Sequence, residues 1–197
     1  FGNAFRGYRD GSGNQSCEYP AGSGIEHMFE AGVWVGGKNA GGQPLVSTSA
    51  FDQPQGYATG RGGYEFTGEI GNRLNVRSSL YDSPNYNPNA VSHEDFIASY
   101  TDTNLFVPGT GGSGGPGVPI AGHTQPLNVK IIQKTYNWNF TFSDFIVFLD
   151  FEIINLGRKG DPVSLIDSAF FAFYANTVVR NTNITPVGSG GVSFYDK

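Results

Sequence analysis

Asp150 and Glu152 stand two residues apart in a segment that alternates apolar and polar side chains. On an extended strand rising ~3.3 Å per residue they would sit about 7 Å apart on one face, within the range that glycoside hydrolysis asks of its two carboxyl groups. The same spacing arises on any strand whose wet side is acidic, and no further acid converges on the pair in the sequence. His27, His93 and His123 are scattered at spacings that match no zinc motif. Asp102, Asp144, Asp161 and Asp167 fall in or near turns. Of these, Asp102 and Asp161 are the candidates for offering oxygen ligands to Ca²⁺, the one cofactor the chain suggests, although neither an EF-hand nor a nonapeptide spacing surrounds them. Turn aspartates more often satisfy local backbone groups.

The glycine runs Gly60-Arg61-Gly62-Gly63 and Gly109-Thr110-Gly111 lack the following Lys-Ser or Lys-Thr of a phosphate-cradling loop. Cys17 is the single cysteine, so neither an intrachain disulfide nor a Cys-based metal site can form. Aromatic side chains are the better binding candidates. Tyr57, Tyr64, Tyr81 and Tyr86 lie in Gly- or Pro-rich surroundings and, with Trp34, could stack on sugars or on a neighbouring subunit. The competing expectation is that the tyrosines plug loops onto the body of the fold.

The elements that would hold these residues are strands. Hydrophobic residues are 38% of the 197, with 16 Phe, 10 Tyr and 2 Trp supplying much of the core, while 29 Gly and 11 Pro imply many turns. In 29–35, Phe29, Ala31, Val33 and Val35 fall on one face and Glu30, Gly32 and Trp34 on the other. A hairpin turn is expected over Gly36-Gly37-Lys38-Asn39 and Gly41-Gly42, with a returning strand at 45–50. Long surface loops are expected over 51–89. Ser92 followed by Asp95 reads as the cap of a short helix over 92–98.

Residues 127–138 read as a strand carrying Val129, Ile131, Ile132 and Tyr136. In 145–155, Val147, Leu149, Phe151 and Ile153 oppose Asp150 and Glu152. Residues 168–175 read as a central strand covered on both faces, with Ala169, Phe171 and Phe173 against Phe170, Ala172 and Tyr174; 192–195 is a last candidate. The expected fold is all-β, an antiparallel β-sandwich or jelly roll with long Gly/Pro-rich loops and little helix. It is divided into an extended N-terminal arm over 1–24 and one domain over 25–197, with a flexible, solvated Gly-rich loop at 107–122.

Charged residues make up 15%, with 17 acids against 12 bases and a net charge of −5. No basic cluster exists to neutralise phosphates, so a nucleic-acid partner is not expected. No run is apolar enough for a signal peptide or a membrane span, and a chain opening on Phe1 is expected to be processed or a fragment.

The wording of several segments carries a resemblance. Glu18-Tyr19-Pro20-Ala21-Gly22, running on to Met28-Phe29-Glu30-Ala31-Gly32-Val33-Trp34-Val35-Gly36-Gly37, resembles the N-terminal region of large secreted and cell-surface proteins of Bacteroidota and related bacteria, many exported by the type IX secretion system. So do Ala90-Val91-Ser92-His93-Glu94-Asp95-Phe96, Gln133-Lys134-Thr135-Tyr136-Asn137-Trp138, Asp144-Phe145-Ile146-Val147-Phe148 and Ile153-Ile154-Asn155-Leu156-Gly157. The resemblance implies an extracellular or cell-surface location and a longer precursor. The chain departs from the pattern in the Gly-rich run after Val107, which reads as an insertion. The resemblance carries no catalytic residues.

The expected function is therefore structural rather than enzymatic: a surface-layer or filament subunit that associates with itself or with other surface components, its arm adding a strand to a neighbour. The alternative is a carbohydrate-binding or adhesive module of a larger secreted protein, with glycans as partners. A glycan-active enzyme built on Asp150 and Glu152 ranks below both.

Overall fold

A computed structural model of the chain describes residues 5–6, 17–28, 30–38, 41–50, 65–69, 73–107, 115, 117–120, 122–157, 166–177, 179–181 and 183–184. Its strands are β1 (Phe5–Arg6), β2 (Ile25–Glu26), β3 (Glu30–Lys38), β4 (Pro44–Thr48), β5 (Thr67–Gly68), β6 (Asn75–Arg77), β7 (Glu94–Thr101), β8 (Val129–Asn137), β9 (Val147–Asn155), β10 (Asp167–Asn176) and β11 (Arg180–Asn181). No helix forms among the described residues, and so none is long and apolar enough to cross a membrane. In the first sheet β3 is central: β10 runs along one edge, and β1 and β4 share the other. In the second, β7, β8 and β9 form a meander, with β5 and β6 sharing the far edge of β7. A short ribbon of β2 and β11 stands apart. Every strand ladder is antiparallel.

The period of two in β3 decides which face is inside. Ala31, Val33 and Val35 are buried, and Val33 and Val35 meet Tyr100 of β7 and Val129 and Ile131 of β8, with Phe66 and Leu127 completing the cluster. Phe66 meets Tyr100 edge to face at 5.8 Å. Tyr100 is fully buried with its hydroxyl donating to Gln133 Oε1 at 2.9 Å, and burial pushes its pKa well above the usual tyrosine value. Two sheets facing each other across one apolar cluster make an antiparallel β-sandwich, as the sequence led us to expect.

A buried acid ties the two sheets together. Asp102 follows β7 directly and is fully buried. Its Oδ2 accepts from Ser47 Oγ of β4 at 2.7 Å and from the Leu127 amide at 2.8 Å, and its Oδ1 accepts from the Val129 amide at 2.8 Å. His123, itself buried, donates from Nε2 to the Asp102 carbonyl at 2.5 Å. A second buried acid, Glu65, accepts from the Thr48 hydroxyl at 2.6 Å and the Thr48 amide at 3.3 Å, which holds the end of β4 against the segment leading into β5.

Several expectations are corrected. Residues 92–98 enter strand β7, not a helix. Asp95 does accept the backbone amides of Val91 and Ser92, both at 2.8 Å, as a cap would, but such local bonds serve a turn as well as a helix start. Pairing with β6 and β8 on both sides then settles the extended form. Gly36, Gly37 and Lys38 belong to β3, paired with Val46, Leu45 and Pro44, and the turn lies beyond them, where Gly42 has φ +77°. The Gly-rich loop is clamped at its base rather than solvated throughout. Val107 donates to the Val118 carbonyl at 2.8 Å, Ile120 donates to that of Leu105 at 2.9 Å, and Ile120 is buried.

Within the expected arm, Phe5–Arg6 pairs with Ala31 and Glu30 of its own chain. Residues 17–24 fold into a tight turn held by Gly24 N–H on Glu18 Oε1 at 2.6 Å and by Tyr19 N–H on the Ile25 carbonyl at 3.1 Å. The described part of the arm is thus taken up at home. The strand expected at 192–195 lies outside the described residues. The largest correction concerns 168–175, which belong to β10, an edge strand among the described residues and exposed on both faces: Phe170 is 71%, Phe171 46% and Phe173 43% exposed.

The inter-sheet acid yields a prediction. Asp102→Ala orphans three donors and should lose roughly 3–5 kcal/mol in urea unfolding, and Asp102→Asn, which sets an amide N–H against the Val129 N–H, about 1–3 kcal/mol. Burial, outweighing the hydrogen bonds from Ser47, Val129 and Leu127 and the charge of His123, holds the Asp102 pKa above its ordinary 3.8. The folded chain therefore keeps this proton to higher pH than the unfolded one. Its contribution to stability falls as pH rises from 3.8 through the raised value and is level above that. A plot of the urea midpoint against pH should show that fall in the wild type, and its difference from Asp102→Asn isolates it.

Candidate functional site

Ser47, His123 and Asp102 gather at one buried place, but they are not wired for nucleophilic chemistry. The Ser47 hydroxyl donates to a carboxylate that also holds two backbone amides, and the imidazole donates to a backbone carbonyl, so the histidine does not face the serine as a triad base would. Both oxygens of Asp102 are engaged by N–H and O–H donors. Among the described residues no group of three or more His, Cys, Asp or Glu side chains gathers in a way that could hold a metal ion, and Asp161 lies outside them. Asp144 sits in the exposed turn before β9.

Asp150 and Glu152 point to the outer side of β9. Both approach Lys134 of β8, at 3.8 and 3.9 Å, in an exposed arrangement of the kind worth well under 1 kcal/mol. The histidines are each used in local structure. His27 Nε2 donates to the Tyr19 carbonyl at 2.9 Å, and His93 Nδ1 accepts from the Asn139 amide at 2.9 Å. Cys17 is exposed, yet the partial burial of its thiol pushes its pKa up, away from the reactive thiolate.

The aromatic candidates separate into two places. Tyr81 and Tyr86 come together in the loop between β6 and β7, stacked at 4.8 Å between ring centroids and 29° between planes, with Tyr81 87% exposed. The loop is held in shape by its own hydrogen bonds. Ser78 donates to the Asn85 carbonyl at 2.9 Å, Asn87 to that of Ser78 at 2.8 Å, and the buried Ser78 hydroxyl to that of His93 at 2.6 Å. The outward face of Tyr81, backed by Tyr86 on an ordered loop, can take a flat apolar face such as that of a sugar ring. Trp34 is elsewhere, half-buried on the outer side of β3. It stacks on Tyr174 at 5.2 Å and donates from Nε1 to the Ala50 carbonyl at 2.7 Å, which fixes its ring as part of the sheet's cover. Tyr57 and Tyr64 lie outside the described residues.

The largest candidate surface was not foreseen. Val33 and Val35 face the core, and their directly paired neighbours Phe173 and Phe171 share that face. Phe151 of β9 meets both rings across the sandwich, at 5.6 and 6.1 Å. All three rings thus point between the sheets, yet Phe171 and Phe173 are exposed and Phe151 is only half-buried, because among the described residues β9 and β10 are the edge strands on one side and the sandwich stands open between them. Val147 and Ile153 of β9 add to the same cleft, Phe170 extends it on the outer face of β10, and Phe140, Phe142 and Phe145 are exposed in the turn that leads into β9. The missed signal was the run of residues 168–175 without a charge. It suits a buried central strand and an apolar edge equally well, and only the strand order separates the two.

Chemically this surface can do one thing well: bind apolar side chains with backbone pairing beside them. Phe170→Ser should leave the unfolding free energy within about 0.5 kcal/mol of wild type while reducing the binding of an apolar fluorescent dye. Ile131→Ala, in the core, should cost about 2–5 kcal/mol. Urea titrations of the two variants, with dye binding on the first, check the assignment. Comparison of the chain with models of protein families, with curated proteins and with solved structures finds no match, so the reading of these surfaces rests on their geometry.

Proposed function

We propose that this chain is a structural protein of the cell surface or extracellular space, a subunit that associates with copies of itself in a layer or filament. The observation that carries the reading is the open side of the sandwich, where inward-pointing Phe171 and Phe173 remain 46% and 43% exposed between two edge strands nine and ten residues long. A long apolar edge is a template for another strand unless it is blunted by charge, proline or a cover. The low charge and the motif resemblance support the extracytoplasmic setting. Sedimentation velocity across a hundredfold range of concentration, with electron microscopy of the same samples, tests it. Concentration-dependent assembly is expected, and a monomer throughout would refute self-association.

A second reading is favoured by the Tyr81 and Tyr86 stack: a carbohydrate-binding or adhesive surface on the loop between β6 and β7. Removing an exposed tyrosine ring from such a contact forgoes roughly 25 cal/mol for each Å² of apolar surface it would cover. Tyr81→Ala should therefore weaken glycan binding several-fold on an array without lowering the melting temperature. An array on which the wild type binds nothing would remove this reading.

A further inference from the structure

The two edge strands that frame the open side differ in what they can pair with. β9 carries Asp150 and Glu152 on its outer side. An antiparallel pairing of five or more residues of β9 with its own copy that keeps inner side chains inside brings these acids opposite or diagonal to their twins, which is destabilising. β10 has no charged side chain from Ser168 to Ala175. Its ladder with β3 is interrupted by a bulge between Asp167 and Phe170, where Ser168 has φ +55°, so the regular run is 170–176 with Phe173 at its centre.

We propose, resting on the self-association put forward above, that β10 pairs antiparallel with β10 of a second copy about a twofold axis at Phe173, continuing the first sheet across the dimer. On either side of the axis this register sets large against small. Phe173 meets its twin and Phe171 faces Ala175 of the other copy on the inner side, while Ala172 faces Tyr174 on the outer side, where Tyr174 keeps its stack on Trp34. Inner side chains stay inside, as the alternation of the strand demands.

The area also suits a second copy. At the ~150–250 Å² that an aromatic side chain can bury, the exposed parts of Phe170, Phe171 and Phe173, with those of Val147 and Ile153, leave on the order of 450 Å² of apolar surface per copy. That is close to the apolar share of the roughly 800 Å² per partner in a stable interface of standard size. An isologous pair covers the same patch on both copies at once.

The test uses the whole chain with Cys17→Ser as background. Directly opposed residues in an antiparallel pair have Cα atoms about 4.5–5.5 Å apart, within disulfide reach. Phe173→Cys should therefore give a disulfide-linked dimer under mild oxidation by oxidised glutathione. Phe170→Cys should not, since its twin would lie about 20 Å along the strand. Ala172→Lys, at an exposed position, should weaken dimerisation at least tenfold with an unchanged unfolding midpoint at concentrations below the association range. In the wild type, amide exchange over 170–176 should slow at least tenfold as concentration rises through the association range. A wild type that assembles while Phe173→Cys links no better than Phe170→Cys and amide exchange over 170–176 stays unchanged would overturn the β10 pairing and leave self-association standing. A wild type that stays monomeric would overturn both.

Discussion

The carboxylate of Asp102 is a buried point at which the two sheets are joined by hydrogen bonds as well as by apolar contact. It accepts from Ser47 in the first sheet and from the backbone at Leu127 and Val129 as the chain enters β8 in the second. A buried carboxylate is tolerable only where donors surround it, so its position dictates where β4 ends, how the chain leaves β7 and where β8 begins. His123 closes the arrangement from the far flank of the Gly-rich loop through its bond to the Asp102 carbonyl. The apolar cluster of Val33, Val35, Tyr100, Val129 and Ile131 lies beside this anchor and depends on it for its register.

From that anchor the sandwich is finished on one side and open on the other. At the anchored side β4, the segment around Glu65 and the base of the loop at 107–122 cover the core. At the opposite side, β9 and β10 end the sheets formed by the described residues, with apolar side chains still pointing into the space between them. The contrast is energetic. An inward-pointing phenylalanine that remains half exposed forgoes part of the ~25 cal/mol per Å² that burial provides, and that deficit is recovered when another surface covers it.

The groups that invite a catalytic interpretation are engaged in structure. Asp150 and Glu152 flank one lysine on an exposed strand face, and Ser47, Asp102 and His123 form bonds that stabilise the backbone rather than activate an oxygen. The exposed chemistry is aromatic instead, in the Tyr81 and Tyr86 stack and along the open side. Surfaces of this kind recognise shape and apolar area, which suits adhesion or assembly.

The amino-acid sequence by itself determined the class of fold and the inner face of the strands that alternate, because a period of two is a local property of the backbone. Val33 and Val35, and Leu149 and Phe151, were legible in this way. It also carried the local bonds around Ser92 and Asp95, though not the strand they introduce, since the same bonds precede helices and strands alike. Only the tertiary structure decided that β10 is an edge, that Tyr81 meets Tyr86 while Trp34 does not join them, and that Asp102 is a buried tie between sheets. Each of these depends on which segments lie side by side after folding. Strand order and the meeting of residues fifty-five positions apart, such as Ser47 and Asp102, leave no periodic trace along the chain.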